Sequence, residues 1–249
     1  MSTFSLYLLF LCLTLFAGKA SSAIAPALYL FGGSSLDTGN NNFLQTQAKA
    51  NFSPYGIDFP GGSTGRYTNC ATSGDFIAAY LSLSERQRQT IITGINYASS
   101  AAGILPESET ALGDILSLDE QINYFRTTVR NDLPQIFRTP RVLSHYLSRS
   151  VFVIAIGSTF FRADGYTESY AQFQDPVKYG FSEVRTPCCA VGALGTCLPG
   201  QEPYTDRNNH LYYDGVHPVQ LVNYQFARNC FSGSTVCTPI NIRQLAFKL

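Results

Sequence analysis

The chain opens on an uncharged apolar run, YLLFLCLTLF at residues 7–16, which exits through the small residues Gly18, Ala20, Ser21 and Ala23. The run is too short for a bilayer-spanning helix, and its length and exit match the core of a secretory leader. It predicts a leader over 1–23, cut after Ala20 or Ala23, ahead of a single domain over 24–249. ALYLF at 27–31 reads as a buried parallel strand opening into the polar loop FGGSSLDTGNNN, and SVFVIAIGS at 150–158 as a second strand with the same glycine exit. TIITGINYASSAAGI at 90–104 begins with β-branched residues and ends in small ones, predicting a short strand and a tight loop.

Helical spacing appears between these runs. Ser117 and Glu120 make a capping box ahead of Ile122, Phe125 and Val129. A second helix is predicted from Pro140, and a third from Ser73 with Phe76, Ile77, Tyr80 and Leu81 on one face. NFSPYGIDFPGGSTG at 51–65 is rich in proline, glycine and aromatics and predicts an irregular loop. Near the end, LYYDGVHPVQLVNYQFARNCF predicts a loop carrying Asp214 and His217 that runs into a helix near Pro218. Strands alternating with helices argue for an α/β domain with a parallel sheet, whose ligand sites collect at the strands' C-terminal ends.

Charge and cysteine content narrow the function. Seventeen basic and seventeen acidic side chains cancel, leaving no field to steer nucleic acid or an anionic membrane. Outside the leader there are six cysteines, Cys70, Cys188, Cys189, Cys197, Cys230 and Cys237. An even count suits an oxidising compartment. Without paired CxxC spacings or a nearby His pair, local disulfides are expected rather than zinc; their pairing stays open, save that the adjacent Cys188 and Cys189 are poor partners for each other. Asn51-Phe52-Ser53 is a glycosylation sequon followed by Pro54.

A hydroxyl nucleophile needs a base, a group to orient that base, and donors for the oxyanion. Ser34 follows two glycines at a strand exit, and Asp214 precedes His217 by three residues, so one loop can set a carboxylate against the imidazole. His145, in a predicted helix, and His210, in a polar loop, read as structural.

FGGSSLDTGNNN, SPYGIDFPGGSTGRYTN, GINYASSAAGI, SVFVIAIGS, DPVKYGF, the Cys-Cys segment, YDGVHP and PINIRQLA together resemble, in order, the blocks of the plant-type GDSL esterase/lipase family of the SGNH hydrolase superfamily. The resemblance implies a three-layer α/β/α, flavodoxin-like fold and hydrolysis of small-molecule or lipid acyl esters, with no metal or organic cofactor. It implies Ser34 as nucleophile, His217 as base, Asp214 as its partner, and the Ser100 amide and Thr159 at the two oxyanion positions.

The chain also departs from that pattern. Gly33 and Ser35 replace the aspartate and leucine beside the nucleophile, which predicts a looser loop. Thr159 stands where the family has asparagine, and Tyr204 where relatives have a cysteine. Only Thr159 to Gln174 separates two blocks that relatives hold far apart, which predicts a missing strand region and an exposed edge beside 151–157. A catalytically impaired pseudoenzyme or a nonfunctional fragment of the same family is the alternative reading.

Overall fold

The computed structural model describes residues 25–105, 110–156, 165–237 and 240–248. The leader over 1–23 and the oxyanion candidate Thr159 lie outside the described residues. The fold is α/β. Strand β1 (Leu28–Gly32) pairs in parallel with β2 (Val151–Ala155), in a register that sets Tyr29 against Phe152 and Phe31 against Ile154.

On its other side β1 is flanked by 93–99. The Leu28 and Leu30 amides donate to Thr93 and Ile95 carbonyls, and the Tyr97 and Ser99 amides donate back to Leu30 and Gly32. This is the strand expected in 90–104, reduced to single bridges instead of a regular ladder. Gly94 helps to explain why: with φ 107° it lies so close to β1 that an added Cβ would meet the Leu28 carbonyl oxygen at 1.8 Å.

The helix expected from Ser73 is absent. Residues 73–77 turn, Ala79 bridges in parallel to Asn96, and only a 3₁₀ turn follows at Tyr80–Ser82. The Asn96 amide donates to Ala78 and the Tyr80 amide to Asn96, so pairing with the sheet claims the backbone groups a helix would have used. Local helical spacing loses here to a tertiary partner.

Six helices accompany the sheet among the described residues: α1 (Glu85–Arg88), α2 (Leu118–Thr127), α3 (Pro140–Ser148), α4 (Gly165–Gln174), α5 (Gln220–Ser232) and α6 (Ile242–Lys248). The box expected ahead of α2 is present: Ser117 Oγ accepts from the Glu120 amide at 3.3 Å, and Glu120 Oε2 accepts from the Ser117 amide at 2.8 Å. Ser117→Ala is expected to cost about 1 kcal/mol. A lower denaturant midpoint with an unchanged slope would check this.

The side chains of Tyr29, Phe31 and Tyr97 alternate onto one face of the sheet, where they pack with Phe125 of α2 and Tyr146 of α3. On the opposite face, Leu30, Leu36 and Ala98 form a smaller cluster beneath Ile77. Helix α5 is fastened to the loop over that face, its Asn223 donating to the Ala71 carbonyl and accepting at its own carbonyl from Ser73 Oγ.

β2 is the outermost strand among the described residues. Phe152 stacks on Tyr29, yet it remains 43% exposed and Ile154 63% exposed. The apolar strand pattern therefore ends on an edge that the described elements cover only in part, Phe152 meeting Phe125 of α2, as the short span between the two family blocks predicts.

Candidate active site

The site begins where β1 ends. Gly32 has φ 148°, and an added Cβ would strike the Ala155 carbonyl oxygen at 1.8 Å, so only glycine fits between the two strand ends. Its backbone is gripped by Gln121 of α2, whose Oε1 accepts from the Gly32 amide at 2.8 Å while Nε2 donates to the Gly32 carbonyl at 3.0 Å. The Gly33 amide donates to Ala155, and the Leu36 and Asp37 amides both donate to the Gly33 carbonyl. That tight turn throws Ser34 outward.

The loop is not slack. Leu36, two residues past Ser34, is buried and supplies an apolar anchor. Asp37 is wholly buried; its Oδ1 accepts from the Gly39 and Asn40 amides and its Oδ2 from the Ser100 amide. Burial pushes its carboxyl up to about 6, against the downward pull of those amides. Asn40 donates to the Asn96 and Ala98 carbonyls and Asn41 to the Ala48 and Ser100 carbonyls, lacing the loop to the 96–100 segment.

The second half of the site comes from the turn 213–217, closed by the Tyr213 amide donating to the His217 carbonyl. Asp214 Oδ1 accepts from the Val216 and His217 amides, which fixes the carboxylate within its own loop. His217 Nδ1 lies 2.9 Å from Asp214 Oδ2 and 3.0 Å from Oδ1. A carboxylate can only accept, so Nδ1 carries the proton and Nε2 is left as the acceptor. That Nε2 lies 2.7 Å from Ser34 Oγ, across 183 positions of sequence.

Ser34, Asp214 and His217 are thus brought together in one chain of hydrogen bonds. Ser100 sits on the adjoining loop, but its amide is already engaged by Asp37 and by Asn41 Oδ1 at 3.1 Å. The next residue, Ala101, takes φ 64°, a left-handed conformation unusual for a residue with a Cβ, and its amide forms no hydrogen bond among the described residues. His210 is structural, as expected: its Nδ1 lies 3.0 Å from the Thr186 carbonyl oxygen and its ring stacks on Tyr204.

Two tyrosines that sequence reasoning did not single out complete the surroundings. Tyr67 lays its ring 4.6 Å from the His217 ring. Tyr55 donates from its hydroxyl to Asp214 Oδ2 at 2.6 Å and accepts from the Cys197 amide at 3.0 Å. Burial, reinforced by the Asp214 carboxylate, holds the Tyr55 phenol far above its ordinary range, so it stays a donor. Cys197 is bridged to Cys189, a local disulfide of the expected kind, whereas Cys70 and Cys188 are thiols.

No family model matches the chain. Among curated proteins, a GDSL esterase/lipase of Arabidopsis thaliana is 31% identical, the match covering 85% of this chain and 86% of the relative. The chain belongs to the GDSL esterase/lipase family. A second Arabidopsis thaliana GDSL esterase/lipase is 28% identical over 91% of this chain and 93% of its own length. A third is 28% identical over 96% of each, and that alignment runs to 355 positions although this chain has 249 residues. More than a hundred of its positions therefore face a gap in this chain, so this member of the GDSL family is shorter inside its matched span, in keeping with the uncovered side of β2.

Proposed function

We propose that this GDSL family member hydrolyses carboxylic esters through an acyl-enzyme, with Ser34 as nucleophile, His217 as general base and Asp214 as the group that orients the base. The observation carrying this is the 2.7 Å contact of His217 Nε2 with Ser34 Oγ, with Nδ1 bound to a buried carboxylate. Ser34 Oγ adds to the ester carbonyl carbon as its proton passes to Nε2. The imidazolium, stabilised by Asp214, then returns that proton to the departing alcohol. Water, deprotonated by the same imidazole, releases the acid and restores Ser34.

The tetrahedral intermediate needs donors for its oxygen. The amides of Ser34 and Ala101 form no hydrogen bond among the described residues and suit that task, whereas the Ser100 amide would have to leave Asp37. Thr159 stands at the second of the two oxyanion positions that the family resemblance assigns. The substrate is a small-molecule or lipid acyl ester. Secretion is supported by the apolar run at 7–16 with its small-residue exit, and by the Cys189–Cys197 bridge.

A fluorophosphonate probe tests the chemistry without knowledge of the natural ester. It is expected to modify the peptide carrying Ser34 in the wild-type protein and to fail in His217→Ala. An unmodified Ser34 in folded wild-type protein would overturn the reading. The engaged Ser100 amide favours one alternative, an impaired enzyme that reacts with the probe but turns esters over slowly.

A further inference from the structure

Asp214 presents two oxygens that are held very differently. Oδ1 accepts from two backbone amides of its own turn, but among the described residues Oδ2 meets only His217 Nδ1 and the Tyr55 hydroxyl. Tyr55 arrives from 159 positions away and is itself fully buried. Its hydroxyl oxygen is already occupied by the Cys197 amide, so the O–H proton is directed to Asp214.

The Cys197 amide is in turn placed by the bridge to Cys189, whose own amide donates to the Tyr213 carbonyl at 3.0 Å, next to Asp214 in the chain. The donors run one way: Cys197 amide to Tyr55, Tyr55 to Asp214 Oδ2, with His217 Nδ1 donating to the same oxygen and Ser34 donating to Nε2. We propose that Tyr55 is a positioning residue for ester hydrolysis that fixes Asp214 at the oxygen its own turn does not hold, and that the Cys189–Cys197 bridge is the strut that aims it.

This rests on the roles given above to Asp214 and His217, and it adds a link that those roles do not require. Without the phenol, Oδ2 would pivot and its full charge would fall on the imidazole alone. The carboxylate would then hold the imidazolium more tightly and make it a poorer acid toward the leaving alcohol. The groups facing this pair are Tyr55, the ring of Tyr67, Ser34, and the more distant Asp37 and Tyr213.

The test is Tyr55→Phe in the full chain, assayed on p-nitrophenyl butyrate. Expected are a kcat lower by about tenfold to a hundredfold, as for partners behind a metal-bound imidazole, an unchanged KM, and an acid limb of the kcat profile moved to higher pH. A structural role alone would not move that limb. Wild-type kcat with an unmoved limb overturns the proposal.

Should Tyr55→Phe not fold, 3-fluorotyrosine at position 55 keeps the shape and strengthens the donor; its limb is expected at lower pH, and an unmoved limb overturns the proposal equally. For the strut, Cys189→Ala/Cys197→Ala is expected to lower kcat, and to cost nothing more when added to Tyr55→Phe. Fully additive losses would remove the bridge from the assignment. If the fluorophosphonate probe fails to modify wild-type Ser34, the triad falls and this inference with it; if the probe reacts and only the Tyr55 variants behave as wild type, this inference alone falls.

Discussion

Ser34→Ala is expected to lower kcat/KM for ester hydrolysis by roughly a millionfold, and His217→Ala by a similar factor, with the double variant no worse than either. The losses coincide because the serine has no other base within reach and the imidazole no other nucleophile: Nε2 meets Oγ at 2.7 Å, and nothing else described bonds to either atom. Ser34 is half-buried, so trimming it leaves little unsatisfied, and the unfolding midpoint is expected to stay near wild type. Ser35→Ala is the internal control and should retain most activity. A reversed pattern, with Ser35→Ala dead and Ser34→Ala active, would shift the nucleophile by one position.

The largest effect on stability is expected from Asp37→Ala. The Gly39 and Asn40 amides would lose their acceptor inside the protein, and Ser100 would keep only Asn41. At about 1–3 kcal/mol for each of the two buried donors left unpaired, the loss is about 2–6 kcal/mol, a large share of a domain's total stability. Denaturant unfolding would measure it. The pH dependence carries a sign of its own. The folded-state value of Asp37, about 6, lies above the ordinary 3.8, so between these the folded chain holds a proton that the unfolded chain releases. This group's contribution is fully favourable below about 4 and is lost as pH rises through about 6. Asp37→Asn should flatten that portion of the stability profile.

The parts of the fold that the sequence made legible are those decided locally. ALYLF and SVFVI are unbroken apolar runs with glycine exits, and the Ser117–Glu120 box needs only four residues to be read. The turn holding Asp214 and His217 is likewise local. The segment from Ser73 misled because its apolar spacing is that of a helix, while its backbone is taken by Asn96, a partner that spacing does not reveal.

Of the proposed site, Ser34, Asp214 and His217 were legible in the sequence, and what holds them was not. Gln121 could have been noticed as a polar residue on the same helical face as Leu118 and Phe125, since a polar group on a buried stripe needs a purpose. Tyr55 left no such trace: it lies in a loop crowded with aromatics, and only the folded chain brings it to Asp214. Ser100 shows a different limit. Its place beside the nucleophile loop could be read from the order of blocks, but the engagement of its amide by Asp37 could not.

The 183 positions that separate Ser34 from His217 have a meaning for how the protein is made. Ser34 leaves the ribosome early and His217 late, and Tyr55 waits nearly as long for Asp214 and Cys197. With the roles proposed for Ser34 and His217, a growing chain carries an inert serine through most of its synthesis, and activity waits until the segment around His217 folds back over the first strand.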